Sequence, residues 1–414
     1  MVAATPVQRL DDDKQQETIA RAPVSANTSN LLMDLVTDID AIRTVWERLA
    51  ADPLNSSHQS LAWCLAWAKT NKHPLLAVRG MVGNATVFLI PLEIVKTRGV
   101  HVARFPGGNF NNINTGLFDA GFAASATDED SILIGSEICR LLSGQADIVA
   151  LQNVPLIWQD RRSPLAPLAS VENQNHAFQL PILGSFEATL AQVNAKRRRK
   201  KFRVQSRRAE EMGGYSHVIA VLAAEKRELL ETFFRQKSKR FADHGIPDVF
   251  RDPAARAFFH ALSEAPGQTD QDAPLELHAL RLHGENGGIA AVAGLTRKAD
   301  HIICQFGSID DTVAADVSPG ELLFWLMIER ACREKAALFD FGVGDQLYKR
   351  SWCPVETVQH DIFLPLTLSG KLAAQIYTAS ARVKAIVKAN PKLYAAIQKL
   401  RSKFGGKPSS NGDP

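Results

Sequence analysis

No apolar run in this 414-residue chain reaches the roughly 18 residues that span a bilayer. The longest, Leu322–Ile328, stops at Glu329-Arg330. The five cysteines (Cys64, Cys139, Cys304, Cys332, Cys353) contain no C-x-x-C pair and are odd in number. That excludes a closed disulfide framework and supplies no zinc spacing, so reduced thiols in a cytoplasmic protein are expected. None of the histidines has metal-ligand spacing. P-loop, G-x-S-x-G and G-x-G-x-x-G patterns are all missing, which leaves NTPase, hydrolase-elbow and dinucleotide readings without support. Residues 1–30 lack apolar patterning and carry Asp11-Asp12-Asp13, so they read as disordered and not as a secretory signal.

What is present is a globular composition, 45% hydrophobic and 22% charged, at a length that suits two domains. Charge is unevenly placed. The net value is +4, yet from Lys371 onward there are nine Lys/Arg and only Asp413. The preceding 370 residues therefore sum to −4. Within them, Lys196–Arg208 holds nine basic residues and no acid. Such segments suit an anionic partner: a membrane surface, tRNA or a polyphosphate.

Periodicity gives the second half the order β-α-α-β-β-β-α-β-α-β. Strands are expected at 216–221, 275–283, 288–297, 301–309, 337–341 and 357–364. Helices are expected at 225–241, 252–264, from Pro319 and through Tyr348. The first half repeats the order loosely, with strands at 31–37, 74–82, 86–95, 100–104 and 147–151 and helices at 39–50, 58–69 and 128–142. A Gly/Asn-rich loop lies at 107–116, and residues 176–181 are expected to close the first sheet. This order suggests a duplication joined near residues 183–195. Beyond residue 366, Leu372, Ile376, Ala379, Val383 and Ile386 recur at helical spacing. Asn390-Pro391 breaks the helix, and Leu393, Ile397 and Leu400 continue the stripe. The tail is either a basic amphipathic helix on a membrane or partner, or a helix packed on the body with a solvated basic face.

Candidate chemistry concentrates in Ser318–Trp352. Ser318-Pro319-Gly320-Glu321 has the form of a capping box with Pro at the first helical position. Its N-terminus suits a pyrophosphate, although the Glu321 carboxylate would repel one. Asp345, Tyr348 and Trp352 share a helical spacing, and a tyrosine hydroxyl there can protonate a departing thiolate. Asp340, at the end of an apolar strand, either pairs with Lys349 or Arg350 or orients substrate. The basic run at 196–203 either grips phosphates or is a solvated helix face.

The order strand, capped helix, strand, tyrosine helix resembles the GNAT acyltransferase fold. Tyr348-Lys349-Arg350-Ser351-Trp352 stands where that family has Tyr-x-x-x-Gly-Phe. More narrowly, Ser318-Pro319-Gly320, Phe339–Gly342 and Gly344–Trp352 resemble the CelD-type double-GNAT branch associated with cellulose or exopolysaccharide production. Trp46, Gln59-Ser60 and Trp63 in the first half are similar to it too. The resemblance implies an α/β (α+β) fold of two tandem GNAT-like domains, each a mixed, mostly antiparallel sheet covered by helices, plus a C-terminal helical tail. The expected division is 1–30 disordered, 31–185 a degenerate copy, 186–365 the catalytic copy and 366–414 the basic tail.

The implied activity is transfer of an acyl group, acetyl in the first instance, from acyl-coenzyme A to an amine or hydroxyl, with no tightly bound cofactor and no metal. Tyr348, Asp345 and Asp340 are the catalytic candidates. Gln305, Phe306, Gly307, Ser318, Gly320 and Glu321 are the coenzyme-binding ones, and Arg240, Lys349 and Trp352 the substrate-binding ones. The double arrangement also resembles Fem-type transferases, which use aminoacyl-tRNA. A further alternative is a non-catalytic accessory of a membrane polysaccharide synthase, peripheral at the inner membrane.

Overall fold

A computed structural model of the chain describes residues 31–269, 272–285, 287–310, 312 and 317–390. The expectations for 1–30 and for the stripe at Leu393, Ile397 and Leu400 lie outside the described residues.

The first part runs β1 (Leu31–Val36), α1 (Arg43–Ala50), α2 (Leu61–Asn71), β2 (Leu76–Val82), β3 (Ala85–Thr97), β4 (Val100–Arg104), β5 (Leu117–Phe118), α3 (Ala120–Ser125), α4 (Asp128–Leu141) and β6 (Ile148–Pro155). Next come a short pair, β7 (Ile157–Trp158) and β8 (Arg161–Arg162), then β9 (Val171–Glu172), β10 (Ala177–Pro181), α5 (Phe186–Ala191) and α6 (Ala195–Glu211). The remainder is β11 (Tyr215–Ile219), α7 (Ala223–Asp243), α8 (Pro253–Glu264), β12 (Ala273–Leu282), β13 (Gly288–Lys298), β14 (His301–Ile309), α9 (Pro319–Arg333), β15 (Leu338–Val343), α10 (Leu347–Trp352), β16 (Val355–Thr357), β17 (Gln359–Pro365) and α11 (Leu368–Ala389).

Helix starts follow side-chain caps. The Ser60 hydroxyl accepts from Trp63 N–H, which delays α2 to Leu61 and leaves His58 in a 3-10 turn. Thr127 and Asp130 form a capping box on α4, and Asp252 with Pro253 opens α8.

Two sheets have the same construction. The first is ordered β1-β2-β3-β4-β6-β17-β9, with β5 beside β3; the second is β11-β12-β13-β14-β15-β10-β16. Each has one parallel pair, β4 with β6 and β14 with β15, and is otherwise antiparallel. The duplication read from element order is thus a duplication of topology. Residues 176–181 do not close the first sheet. Instead β10 lies between β15 and β16, and the first sheet is completed by β17, between β6 and β9. Each half gives a strand to the other. Alternation predicts a strand but not its partner, which is why the exchange was not foreseen.

The halves also share a core. Trp63 and Trp67 of α2 meet Phe258 of α8 edge-on, at ring-centroid distances of 5.0 and 5.1 Å, within a cluster that includes Phe233, Phe234, Phe250 and Phe306.

Candidate functional site

Strands β14 and β15 are paired over three positions only, from His301↔Leu338 to Ile303↔Asp340, and then part. β14 keeps its pairing with β13 to Ile309, interrupted at Gln305, which is skipped between Cys304↔Leu295 and Phe306↔Gly294. A residue left out in this way bends the strand and leaves its own peptide out of the ladder. β15 turns at Gly342, where φ is +71° and an added Cβ would lie 2.5 Å from Asn112 Oδ1. Only glycine satisfies both demands. The result is a gap between two strands, with different residues on its two faces.

On one face lies α9. Tyr348 of α10 stacks on Phe324 at 5.5 Å and lies 6.3 Å from the Phe341 ring. Trp352 packs on Phe341 from the next turn and carries the Arg198 guanidinium at 3.8 Å from its ring. Arg198 also donates to Glu321 Oε2 at 2.6 Å and to Ser351 Oγ at 2.5 Å, while Lys201 Nζ is 3.4 Å from Glu321 Oε1. The basic run therefore divides. Arg198 is buried against α9 and α10, whereas Lys196, Arg197, Arg199, Lys200 and Arg203 are exposed.

The expected capping box at Ser318–Glu321 is not formed. A residue before proline is kept from the right-handed helical region, and Ser318 sits at φ +51° without a side-chain cap. Its carbonyl accepts the Glu321 and Leu322 N–H groups instead, and the Glu321 carboxylate is drawn to Arg198 and Lys201. Gly320 sits with Ile309 Cγ2 3.0 Å from where a Cβ would be.

The other face is supplied by the first half. Asn112 Nδ2 donates to Gln305 Oε1 at 2.7 Å, and Asn112 Oδ1 accepts from Val343 N–H at 3.0 Å, so one side chain bridges the parted strands. His58 Nε2 lies 3.1 Å from Gln305 Oε1. Burial pushes His58 down to about 4, so it is neutral at pH 7. Gln359 of the exchanged β17 donates to the Asn112 carbonyl at 2.7 Å. The same loop also runs along β6 of the first half: Asn114 donates to the Gln152 carbonyl and Asn153 to the Asn111 carbonyl.

Between the faces, Asp340 is fully buried. It accepts from Gly342 N–H at 2.7 Å and Gln179 Nε2 at 3.2 Å, with His301 Nε2 at 3.6 Å. Its hydrogen-bond partners are thus not Lys349 or Arg350. Lys349 is buried and donates to the Val343 carbonyl at 2.6 Å and the Gly342 carbonyl at 3.3 Å. Burial lowers its amine from 10.5 to about 8, opposed by nearby Cys304 and Asp340. Asp345 does not share a helix face with Tyr348, because α10 starts only at Leu347; Asp345 binds Arg350.

Phe306 turns from the gap to stack on Phe233, and Gly307 stays in the ladder opposite Ala293. Arg240 is half-buried near the end of α7, one turn beyond Lys237, which acts on the ionisation of Cys304 and Lys349. Among the described residues, His301 Nε2, Gln346 Oε1, Trp352 Nε1 and Gln359 Oε1 are buried without a hydrogen-bond partner, and all belong to elements around the gap.

Of the residues chosen from sequence, Tyr348, Lys349, Trp352, Asp340 and Gln305 come together here. Sequence reasoning missed Asn112, His58, Gln179 and Arg198. The signal for Asn112 was the Asn-rich loop itself, since asparagines grouped among glycines serve a fixed backbone.

Residues 196–350 match a family model described as "Acetyltransferase (GNAT) domain". No curated protein matches the chain in sequence. Among solved structures, FemX is 13% identical, with 80% of this chain and 97% of that one covered at a TM-score of 0.57. A conserved protein of unknown function from Bacteroides thetaiotaomicron is 11% identical, with 80% of this chain and 100% of that one covered at a TM-score of 0.50. At such identities the likeness is one of fold.

Proposed function

We propose that the chain is an acyltransferase that moves an acyl group from an acyl-coenzyme A thioester to an amine or hydroxyl, in the cytoplasm, without a tightly bound cofactor. The observation that carries this reading is the parting of β14 from β15 after Ile303↔Asp340, with Tyr348 and Lys349 on the short helix that follows β15 and packs on it. The thioester enters from the α9 face, past Tyr348. On the first-half face, buried Asn112 and His58 hold the Gln305 side chain in place. Attack on the thioester carbonyl forms the new C–N or C–O bond, and collapse of the adduct breaks C–S. The Tyr348 hydroxyl gives its proton to the leaving thiolate, and the acceptor's proton passes to solvent. The peptide released at the Gln305 bulge and the buried Lys349 ammonium stabilise the oxyanion. With Glu321 held by Arg198 and Lys201, the start of α9 is no longer fronted by a free carboxylate, and exposed Arg197 and Lys200 extend the positive charge along α6. Asp340 positions His301 and the Gly342 turn.

On the resemblance of Gly344–Trp352 to the CelD-type branch, the reading takes the acceptor from cellulose or exopolysaccharide production. Thermal unfolding with a panel of acyl-coenzyme A thioesters tests it. A ligand at 100 times its dissociation constant stabilises by about 2.7 kcal/mol, a rise of several degrees. No rise with any thioester would remove coenzyme A as donor. A second reading, with aminoacyl-tRNA as donor, is favoured by the exposed basic face of α6 and the fold shared with FemX. It requires tRNA binding that weakens steeply with salt.

A further inference from the structure

Helix α11 has two apolar faces, and the larger side chains are on the outer one. Toward the first sheet it presents Ala373 and Ala381, with half-buried Ala374 and Tyr377; the Tyr377 ring lies 5.4 Å from that of Phe363. Gly370 lets the helix start close to the sheet, since a Cβ there would lie 1.8 Å from the Asp147 carbonyl oxygen. Leu368, Leu372, Ile376, Val383 and Ile386 fall on the opposite side, and each is more than half exposed. A helix packed only on a protein body turns its long aliphatic side chains inward. Here alanines face the sheet and leucine, isoleucine and valine face out.

Charge identifies what covers this stripe. Lys371, Arg382 and Lys384 are exposed on the same helix, and the sequence holds no acid between Asp361 and Asp413. Residues 391–414 add Lys392, Lys399, Arg401, Lys403 and Lys407. A second copy of the helix, or the following segment folded back, would set like charge against like. An anionic bilayer surface offers both an apolar layer for the stripe and negative headgroups for its basic flanks. No helix among the described residues is long and apolar enough to cross a membrane, so the contact is one of lying on the surface.

We infer that α11 lies in the plane of an anionic phospholipid surface, with Leu368, Leu372, Ile376, Val383 and Ile386 in the acyl boundary and Lys371 and Arg382 at the headgroups. The inference does not depend on the catalytic reading.

The full chain, sedimented with vesicles of equal parts phosphatidylglycerol and phosphatidylcholine, should pellet with them, less so as salt is raised, and should stay in the supernatant with phosphatidylcholine alone. Leu372→Ser with Ile376→Ser alters no charge and should reduce binding roughly tenfold or more. Leu372→Glu with Ile376→Glu should abolish it. Both variants should melt with the parent chain, because these side chains are already in water. Failure to pellet with phosphatidylglycerol overturns the inference and leaves the stripe to an acidic protein. Full binding by the serine variant overturns it too, since the basic tail would then act without the stripe.

Discussion

Burial holds the Lys349 amine at about 8, against 10.5 in water, and the consequence is a specific dependence of stability on pH. Below pH 8 the amine is charged in both folded and unfolded chains. Between 8 and 10.5 the unfolded chain binds more protons, so stability rises with pH through that window. Lys298, likewise lowered to about 8 by burial, adds a contribution of the same sign, and a variant is needed to separate them. Lys349→Met should remove on the order of 2 kcal/mol of the rise between about pH 7.5 and about pH 9.5. Urea unfolding of both proteins measures it, and parallel curves would mean that the amine is solvated. Tyr348 makes a different prediction. Tyr348→Phe keeps the ring on Phe324 and Phe341 and removes only the hydroxyl. With a thioester identified by its melting shift, turnover should fall about 10²–10³-fold at unchanged melting temperature. Unchanged turnover would take the hydroxyl out of the mechanism.

Among the elements, α6 shows how a charge run is divided by docking. Arg198 is held between Glu321 and the Trp352 ring, and its removal leaves a carboxylate at the start of α9 with only Lys201 near it. Arg198→Met should cost about 3 kcal/mol, the low end for a broken buried pair, whereas Arg199→Met on the exposed face should cost under about 0.5 kcal/mol. Equal costs in chemical denaturation would place Arg198 in solvent. The contrast also marks what was legible in the sequence. The strands at 275–283, 288–297 and 301–309 and the helices from Asp252 and Pro319 were readable, because period and caps are local. The Tyr348–Trp352 part of the site was readable because it lies on one short helix. Asn112 and Gln305 are 193 residues apart, and no local pattern joins them. The Ser318 box was misread for a related reason. Its residues have the right spacing, but the pre-proline backbone and a distant arginine decide where the side chains go.

At the scale of the whole molecule, the exchanged strands bear on cooperativity. Two sheets in 414 residues would ordinarily unfold as separate units. Here neither half owns its sheet: β15 and β16 are joined only through β10, and β6 and β9 only through β17. Detaching one half exposes strand edges in both, and it also uncovers the aromatic cluster where Trp63 and Trp67 meet Phe258. The chain should therefore unfold in one transition. Four of its six tryptophans (Trp46, Trp63, Trp67 and Trp158) belong to the first half, so a variant with Trp325→Phe and Trp352→Phe reports by fluorescence on that half and on its contacts with Phe258 and His301. Its urea midpoint should coincide with the midpoint from far-ultraviolet circular dichroism, which follows helices in both halves. Separated midpoints would mean that β10 and β17 leave their borrowed sheets before either half unfolds. The composite gap between β14, β15 and the Asn112 loop would then open as a unit short of global unfolding.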